Sequence, residues 1–211
     1  MEITKYGHSC LHVTDRDASI LIDPGTFSAG FETLTGLTAI LLTHVHADHL
    51  DPARIAALVD ANPDAAIYAD AAAAEEMTKA GVRTAKVATA GQTYDVGTPI
   101  ETVGELHAVI HQDLPRATNV GFLIGERLFH PGDALTVPDK QVEILAVPVM
   151  APWMALEEAV DYERAVAPSA ALPIHESMLG NFTPMYFDRL ANMGPAGMRW
   201  VAPANGTTEQ L

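Results

Sequence analysis

LLTHVHADHLDP, residues 41–52, places three histidines and an aspartate within six positions, directly after an apolar run and just before an Asp-Pro pair. Side chains two residues apart in an extended segment point the same way, so His44 and His46 can reach one ion together. Asp48 and His49 lie where the chain turns toward the next element and point elsewhere, so the cluster divides naturally between two adjacent ions. Imidazoles with a carboxylate suit zinc, and also manganese or iron, and no cysteine stands nearby to build a thiolate-rich structural site. The flanks place this loop. LTAILLTH reads as a nearly all-apolar strand, buried on both faces. Asp51-Pro52 reads as an N-cap followed by proline at the first helical position, opening a helix through ARIAALVDA. A loop between the end of a strand and a helix N-terminus is where open α/β folds place their chemistry.

Working outward, EITKYG, CLHVTD and SILID read as short strands broken by the turn signals DRD and DPG. AAIYAD is a strand and AAAAEEMTKAG an Ala-rich helix closed by Gly81. RTAKVAT, QTYDV and PIETVGELH read as strands, followed by the irregular AVIHQDLPRAT. NVGFLIG and RLFHPGD form a hairpin, VEILAVPV is another buried strand and ALEEAVDYERAVAP an amphipathic helix. AALPIHE is a strand, PMYFDRLANMG a last helix and GMRWVA a last strand. Two runs of strands interleaved with helices predict a sheet-on-sheet core covered by helices. No linker-like shift in composition interrupts the chain, so residues 1–211 read as one domain.

Two ions need more ligands than the 44–49 turn provides. Strand ends offer them: His107 closes PIETVGELH, Asp133 closes RLFHPGD and His175 closes AALPIH. Three rigid mounts can converge on one edge of a sandwich and leave a position open for water or hydroxide, as hydrolysis requires.

These residues carry a resemblance. THVHADH matches the HxHxDH signature of the metallo-β-lactamase superfamily, and LIDPG, the histidine after VGEL, FHPGD and LPIH follow in that superfamily's order and approximate spacing. YGHSC and HPGD look most like the branch containing ascorbate-6-phosphate lactonase. The resemblance covers nearly the whole chain and implies an αββα four-layer sandwich of the α/β class. It implies one metal held by His44, His46 and His107, a second held by Asp48, His49 and His175, and Asp133 bridging them. Asp23 would orient the loop from behind. His111 competes with His107 as the third ligand of the first metal, and His107 is favoured because it ends its strand directly. The implied activity is hydrolysis of a small-molecule lactone, ester or amide by a hydroxide shared between two divalent cations, with Asp133 anchoring the pair and Asp48 orienting the nucleophile or managing its proton. A phosphodiesterase of the same fold and a non-catalytic metal-binding or sensing protein are the alternatives. A flavodiiron-type role is disfavoured because that branch has glutamate where this sequence has His46.

Other residues near the motifs divide between roles. His8 and Cys10 in YGHSC either pack under the sheet edge or line the pocket, and a Cys10 nucleophile is superfluous beside a metal site. Strand periodicity turns His130 away from Asp133. Trp153 is either a lid or core packing, and Arg116 either a substrate anchor or an exposed loop charge.

The composition sets the bounds. The 48% hydrophobic content and mean hydropathy of +0.12 suit a folded globular protein. Asp and Glu outnumber Lys and Arg 27 to 12, for a formal charge of -15. A surface that acidic repels phosphate backbones and anionic lipid, which disfavours nucleic acid and membranes as partners. The single cysteine fits a reducing cytoplasm, and neither a signal peptide nor an apolar run of membrane-spanning length is evident. Assembly into homo-oligomers, seen in several relatives, stays open.

Overall fold

The computed structural model describes all 211 residues. Along the strand Ala18–Ile22, Ile20 and Ile22 face one side and Leu21 the other, and all three are completely buried. Burial on both faces demands a layer of structure on each side of the sheet. The first sheet contains β1 (Glu2–Lys5), β2 (Leu11–Asp15), β3 (Ala18–Ile22), β4 (Ala39–Leu42), β5 (Ala66–Ala69), β6 (Lys86–Val87) and, at its far edge, β14 (Thr208–Gln210) in the order β14-β1-β2-β3-β4-β5-β6. The second contains β7 (Thr93–Asp95), β8 (Pro99–Val103), β9 (Gly121–Ile124), β10 (Leu128–His130), β11 (Ile144–Pro148), β12 (Ala170–Ile174) and β13 (Arg199–Trp200), in the order β13-β12-β11-β10-β9-β8-β7. Both are mixed, with parallel pairing at β3-β4-β5-β6 and at β10-β11-β12-β13.

Alternation along the strands builds three apolar layers. Ile20, Ile22 and Leu41 meet Phe122, Ile124, Ile144 and Leu172 between the sheets. Leu21, Ile40 and Leu42 face outward onto α1 (Ile55–Asp60) and α2 (Ala71–Lys79) through Ile55, Leu58 and Met77. Leu145 and Val147 face outward onto α3 (Leu156–Val166) and α4 (Thr183–Met193) through Val160, Tyr162 and Leu190. Each fully buried Leu or Ile contributes ~1.5–3 kcal/mol, so these layers hold the fold. The result is the αββα four-layer sandwich expected from the resemblance, and β9 and β10 form the expected antiparallel hairpin.

Three expectations change. The helix after the histidine cluster begins at Ile55, with Arg54 at its N-cap, rather than at Asp51-Pro52. Asp51 instead closes a turn: its Oδ1 accepts from the Ala53 N–H at 2.8 Å and its Oδ2 from Arg54 Nε at 2.5 Å. PIETVGELH leaves the sheet at Val103, because Gly104 turns the chain with φ +79°, so His107 lies in the irregular stretch after β8 rather than at its end. RTAKVAT keeps only two residues in the sheet, and β14, which pairs antiparallel with β1, has no counterpart in the expected elements.

Candidate metal centre

The turn after β4 is held from behind by one carboxylate. Asp23 Oδ1 accepts the Thr43 N–H at 2.8 Å, and Oδ2 accepts the Thr43 hydroxyl at 2.7 Å and His49 Nδ1 at 2.7 Å. Asp23 reaches this position by adopting φ +48°, a conformation that costs of order 1–3 kcal/mol outside glycine and concentrates at functional sites. His8 and His175 share that left-handed conformation, at φ +49° and +67°. Two residues after Asp23, a Cβ on Gly25 would lie 1.9 Å from the Asp48 carbonyl oxygen, so only glycine lets the two loops approach.

The outward ring nitrogens determine where the inward ones point. His107 Nδ1 lies 2.7 Å from the Ala108 carbonyl, which can only accept, so Nδ1 carries the proton and Nε2 presents a lone pair inward. His49 Nδ1 likewise donates outward, to Asp23. The Thr43 hydroxyl spends its proton on Asp23 and so accepts from His44 Nδ1 at 3.0 Å. Metal-binding histidines take this arrangement, with the distal nitrogen tied and the proximal one free. His44 Nε2 and His46 Nδ1 lie 3.0 Å apart, and His49 Nε2 and His175 Nε2 lie 2.8 Å apart.

Asp133 lies between the two groups. Its Oδ1 is 3.0 Å from His49 Nε2 and 2.5 Å from His175 Nε2, while its Oδ2 is 3.3 Å from His107 Nε2 and 4.0 Å from His44 Nε2. Despite these short distances neither His107 Nε2 nor Asp133 Oδ1 makes a well-aligned hydrogen bond, and both are buried, an expensive state for polar atoms that a bound cation relieves. Ligand-type atoms of His44, His46, His107 and Asp133 fall within 4.8 Å of one another, as do those of His8, Asp48, His49 and His175. This donor set fits two divalent cations. Asn119 holds the Asp133 turn by accepting its N–H at 3.0 Å and donating to the Pro131 carbonyl at 2.8 Å.

Electrostatics fit the same use at His44, His46 and Asp133, while His49 must give up a proton to bind a cation. Burial pushes the pKa of His44 well below its usual value and lowers that of His46, which keeps both rings neutral. Burial opposes the charge of Asp133, but His175 and His49 outweigh it and hold the carboxyl well below the usual range. His49 is also disfavoured as a cation by burial, yet Asp133 and Asp23 on its two sides outweigh burial and raise its pKa well above 6.5.

The remaining residues separate clearly. His8 is completely buried, joins the second group through a 3.0 Å contact between Nε2 and Asp48 Oδ2, and is pushed down to about 4 chiefly by burial. Its Nδ1 meets Ser177 Oγ at 2.5 Å. Trp153 Nε1 donates to Asp133 Oδ2 at 3.2 Å, and its ring meets that of His107 edge-on, at the site rather than in the core. His111 is exposed and lies outside both groups. Arg116 donates through Nε to the His107 carbonyl and does not line the metal cavity, and Cys10 is buried in the layer under α1 and α2. His130 donates through Nε2 to the Ser9 carbonyl at 2.9 Å, a structural role.

Thr43, Asn119, Lys5 and Ser177 were not singled out by sequence. The signal for Thr43 was its place beside His44. Lys5 gave none, since its ammonium is buried and spans the sheets to the carbonyls of His8 and Pro173 at 2.9 and 2.6 Å and to Glu176 at 2.9 Å.

A cavity of about 370 Å³ opens over both groups, lined by His46, Asp48, Asp133 and His175 at its floor. The beta-lactamase superfamily domain model matches residues 2–175. Protein Rv0786c of Mycobacterium tuberculosis is 44% identical over 199 residues, covering 92% of each chain. UPF0173 metal-dependent hydrolase MJ1163 of Methanocaldococcus jannaschii is 26% identical over 193 residues, 82% of this chain and 83% of its own. The crystal structure of the metallo-beta-lactamase fold protein YhfI from Bacillus subtilis, 18% identical, superposes with a TM-score of 0.70 over 99% of this chain and 98% of its own. With the four layers, the motif order and a family match over most of its length in agreement, the chain belongs to the beta-lactamase superfamily, as a metal-dependent hydrolase.

Proposed function

We propose that this hydrolase works with two divalent cations, zinc in the first instance and manganese or iron as substitutes, and cleaves a small-molecule lactone, ester or amide by adding water across the acyl bond. His44, His46 and His107 would hold one cation, Asp48, His49 and His175 the other, and Asp133 both. The observation that carries this reading is Asp133, whose two oxygens face different groups of histidines at 3.0 and 3.3 Å. Bound cations supply Lewis acidity toward the acyl oxygen and lower the pKa of water from about 15.7 toward about 7.

The chain does the rest. Asp48 sits at the cavity floor, kept ionised because His8 and His49 outweigh the effect of burial, so it accepts a hydrogen bond from the attacking water and orients it. His8, neutral with Nε2–H toward Asp48 and Nδ1 toward the Ser177 hydroxyl, fixes that carboxylate. Trp153 fixes Asp133 and narrows the mouth. A small molecule suits the site better than RNA or DNA, since 27 acidic against 12 basic residues repel a phosphate backbone. The lone buried Cys10 supports a reducing compartment such as the cytoplasm, and residues 1–211 are read as one domain.

Elemental analysis of purified protein together with hydrolysis of lactones, thioesters, β-lactams and phosphodiesters tests the reading. It expects two metal ions per chain and turnover of an acyl substrate. His46→Ala and Asp133→Ala should each lose metal and turnover, and full metal content in both variants would sink the assignment.

A further inference from the structure

We infer that the part of the substrate remote from its reacting acyl group is uncharged and apolar, held by Phe27, Ile110, Trp153 and Met178. This rests on the hydrolase reading above and specifies its substrate class. All four side chains line the cavity over the metal-type residues, with Pro152 beside them. Phe27 is 55% exposed, Ile110 44% and Met178 37%, so apolar surface faces solvent at the mouth, where soluble proteins keep it chiefly for contact with a ligand or partner. Phe27 is fixed against the site, its ring edge-on to His8 at 5.1 Å, as is Trp153 against His107 at 5.6 Å.

The charges near the cavity give the converse. Every ionisable lining residue is a histidine or an aspartate, His46, Asp48, Asp133 and His175, and all four belong to the metal groups. No lysine or arginine reaches the cavity. The nearby cations are committed: Lys5 is buried behind it on two carbonyls and Glu176, Arg116 is tied to the His107 carbonyl, and Arg54 is tied to Asp51, Glu32 and the carbonyls of Gly25 and Ser28. A phosphate or carboxylate at the far end of a substrate would lose water against apolar walls and gain no partner, inside a molecule of formal charge -15. Cations bound at the floor favour negative charge only at the reacting group. At about 370 Å³ the cavity lies at the small end of the range for small-molecule sites, roughly 300–1,000 Å³, which suits a medium-length acyl chain or an alkyl lactone.

A matched pair of ligands tests this. Octanohydroxamic acid and its analogue with a terminal carboxylate in place of the terminal methyl share the metal-binding group and chain length, and calorimetry on the zinc-loaded protein measures both. The methyl-terminated ligand should bind ~10-fold or more tightly. Ile110→Arg, at an exposed position that tolerates a long side chain, should shrink or reverse that ratio. Equal affinities, preference for the carboxylate, binding of neither ligand, or an unchanged ratio in Ile110→Arg would overturn the inference. Turnover of an octanoyl monoester and a suberoyl half-ester of the same alcohol, measured alongside, separates the two readings: hydrolysis of neither, with the predicted binding preference intact, overturns the hydrolysis of acyl substrates and supports the apolar cavity.

Discussion

Between His44 and His49 a single turn after β4 carries four of the proposed ligands, with Asp23 and Thr43 holding it from behind. The second sheet has no such turn: His107 follows β8 across an irregular stretch, Asp133 lies beyond β10, and His175 stands one residue past β12. Each has its own support: Arg116 and the Ala108 carbonyl for His107, Asn119 for Asp133, and the left-handed backbone for His175. One half of the site is thus encoded locally and the other by the register of three strands. Asp133, from the dispersed half, joins the two ligand groups, one oxygen facing His49 and the other His107.

Variants can break that division in graded steps. Asp133→Ala removes the group shared by the two proposed metal sites and should cost both metals and on the order of 10³-fold in kcat/KM. Elemental analysis beside steady-state kinetics measures this, and loss of only one metal would mean that the two metal sites are independent. Asp23→Ala removes the support of the local half only, so metal affinity should fall ~10–100-fold with the His107 side least affected. Titration with a chromophoric chelator resolves the two sites. Arg116→Ala and Asn119→Ala should each cost less than Asp23→Ala, because each steadies one ligand of the dispersed half. His111→Ala, outside both groups, should leave metal content and turnover unchanged.

Protons give a further handle on the local half. Asp133 and Asp23 outweigh burial and raise the pKa of His49 well above 6.5, so binding a cation there expels a proton. Metal affinity should therefore fall as pH falls below that raised pKa, by ~10-fold per unit for one proton, and chelator competition across pH 6–8 would measure the slope. A flat profile would remove His49 from the ligand set.

Glu163 on α3 separates packing from the site. It is completely buried, neither oxygen has a hydrogen-bond partner, and burial pushes its pKa up to about 8. In the unfolded chain it ionises at its ordinary value near 4.5, whereas in the fold it keeps its proton until about pH 8. Its contribution to stability is therefore full below pH 4.5 and is lost as pH rises toward 8. Glu163→Gln should abolish that loss and raise Tm at alkaline pH by roughly 2–4 °C for each kcal/mol recovered, with metal content unchanged. Equal pH dependence of Tm in both proteins would contradict this.

What could be read from the sequence follows the same line between local and dispersed. The alternation in SILI and the apolar run AILL carry their own burial pattern, and the 44–49 turn carries its own chemistry, so the layers and half of the site were legible from short stretches. Asp-Pro serves a turn as readily as a cap: Asp51 closes a turn onto the Ala53 N–H and Arg54, and the helix starts at Ile55. His107 was assigned to a strand end because period-two alternation gives no warning that Gly104 leaves the sheet. Lys5 ends the four-residue strand β1, where sequence alone gives a lysine no special place. Its burial depends on β12 arriving from the other sheet, a contact that no local pattern announces.

The bridging role of Asp133 is the central claim, and anomalous diffraction at the zinc edge from crystals of the zinc-loaded protein tests it most directly. Two peaks are predicted, one among His44, His46 and His107 and one among Asp48, His49 and His175, each ~2.0–2.2 Å from a different oxygen of Asp133. A single peak, or two peaks of which only one touches Asp133, would contradict it.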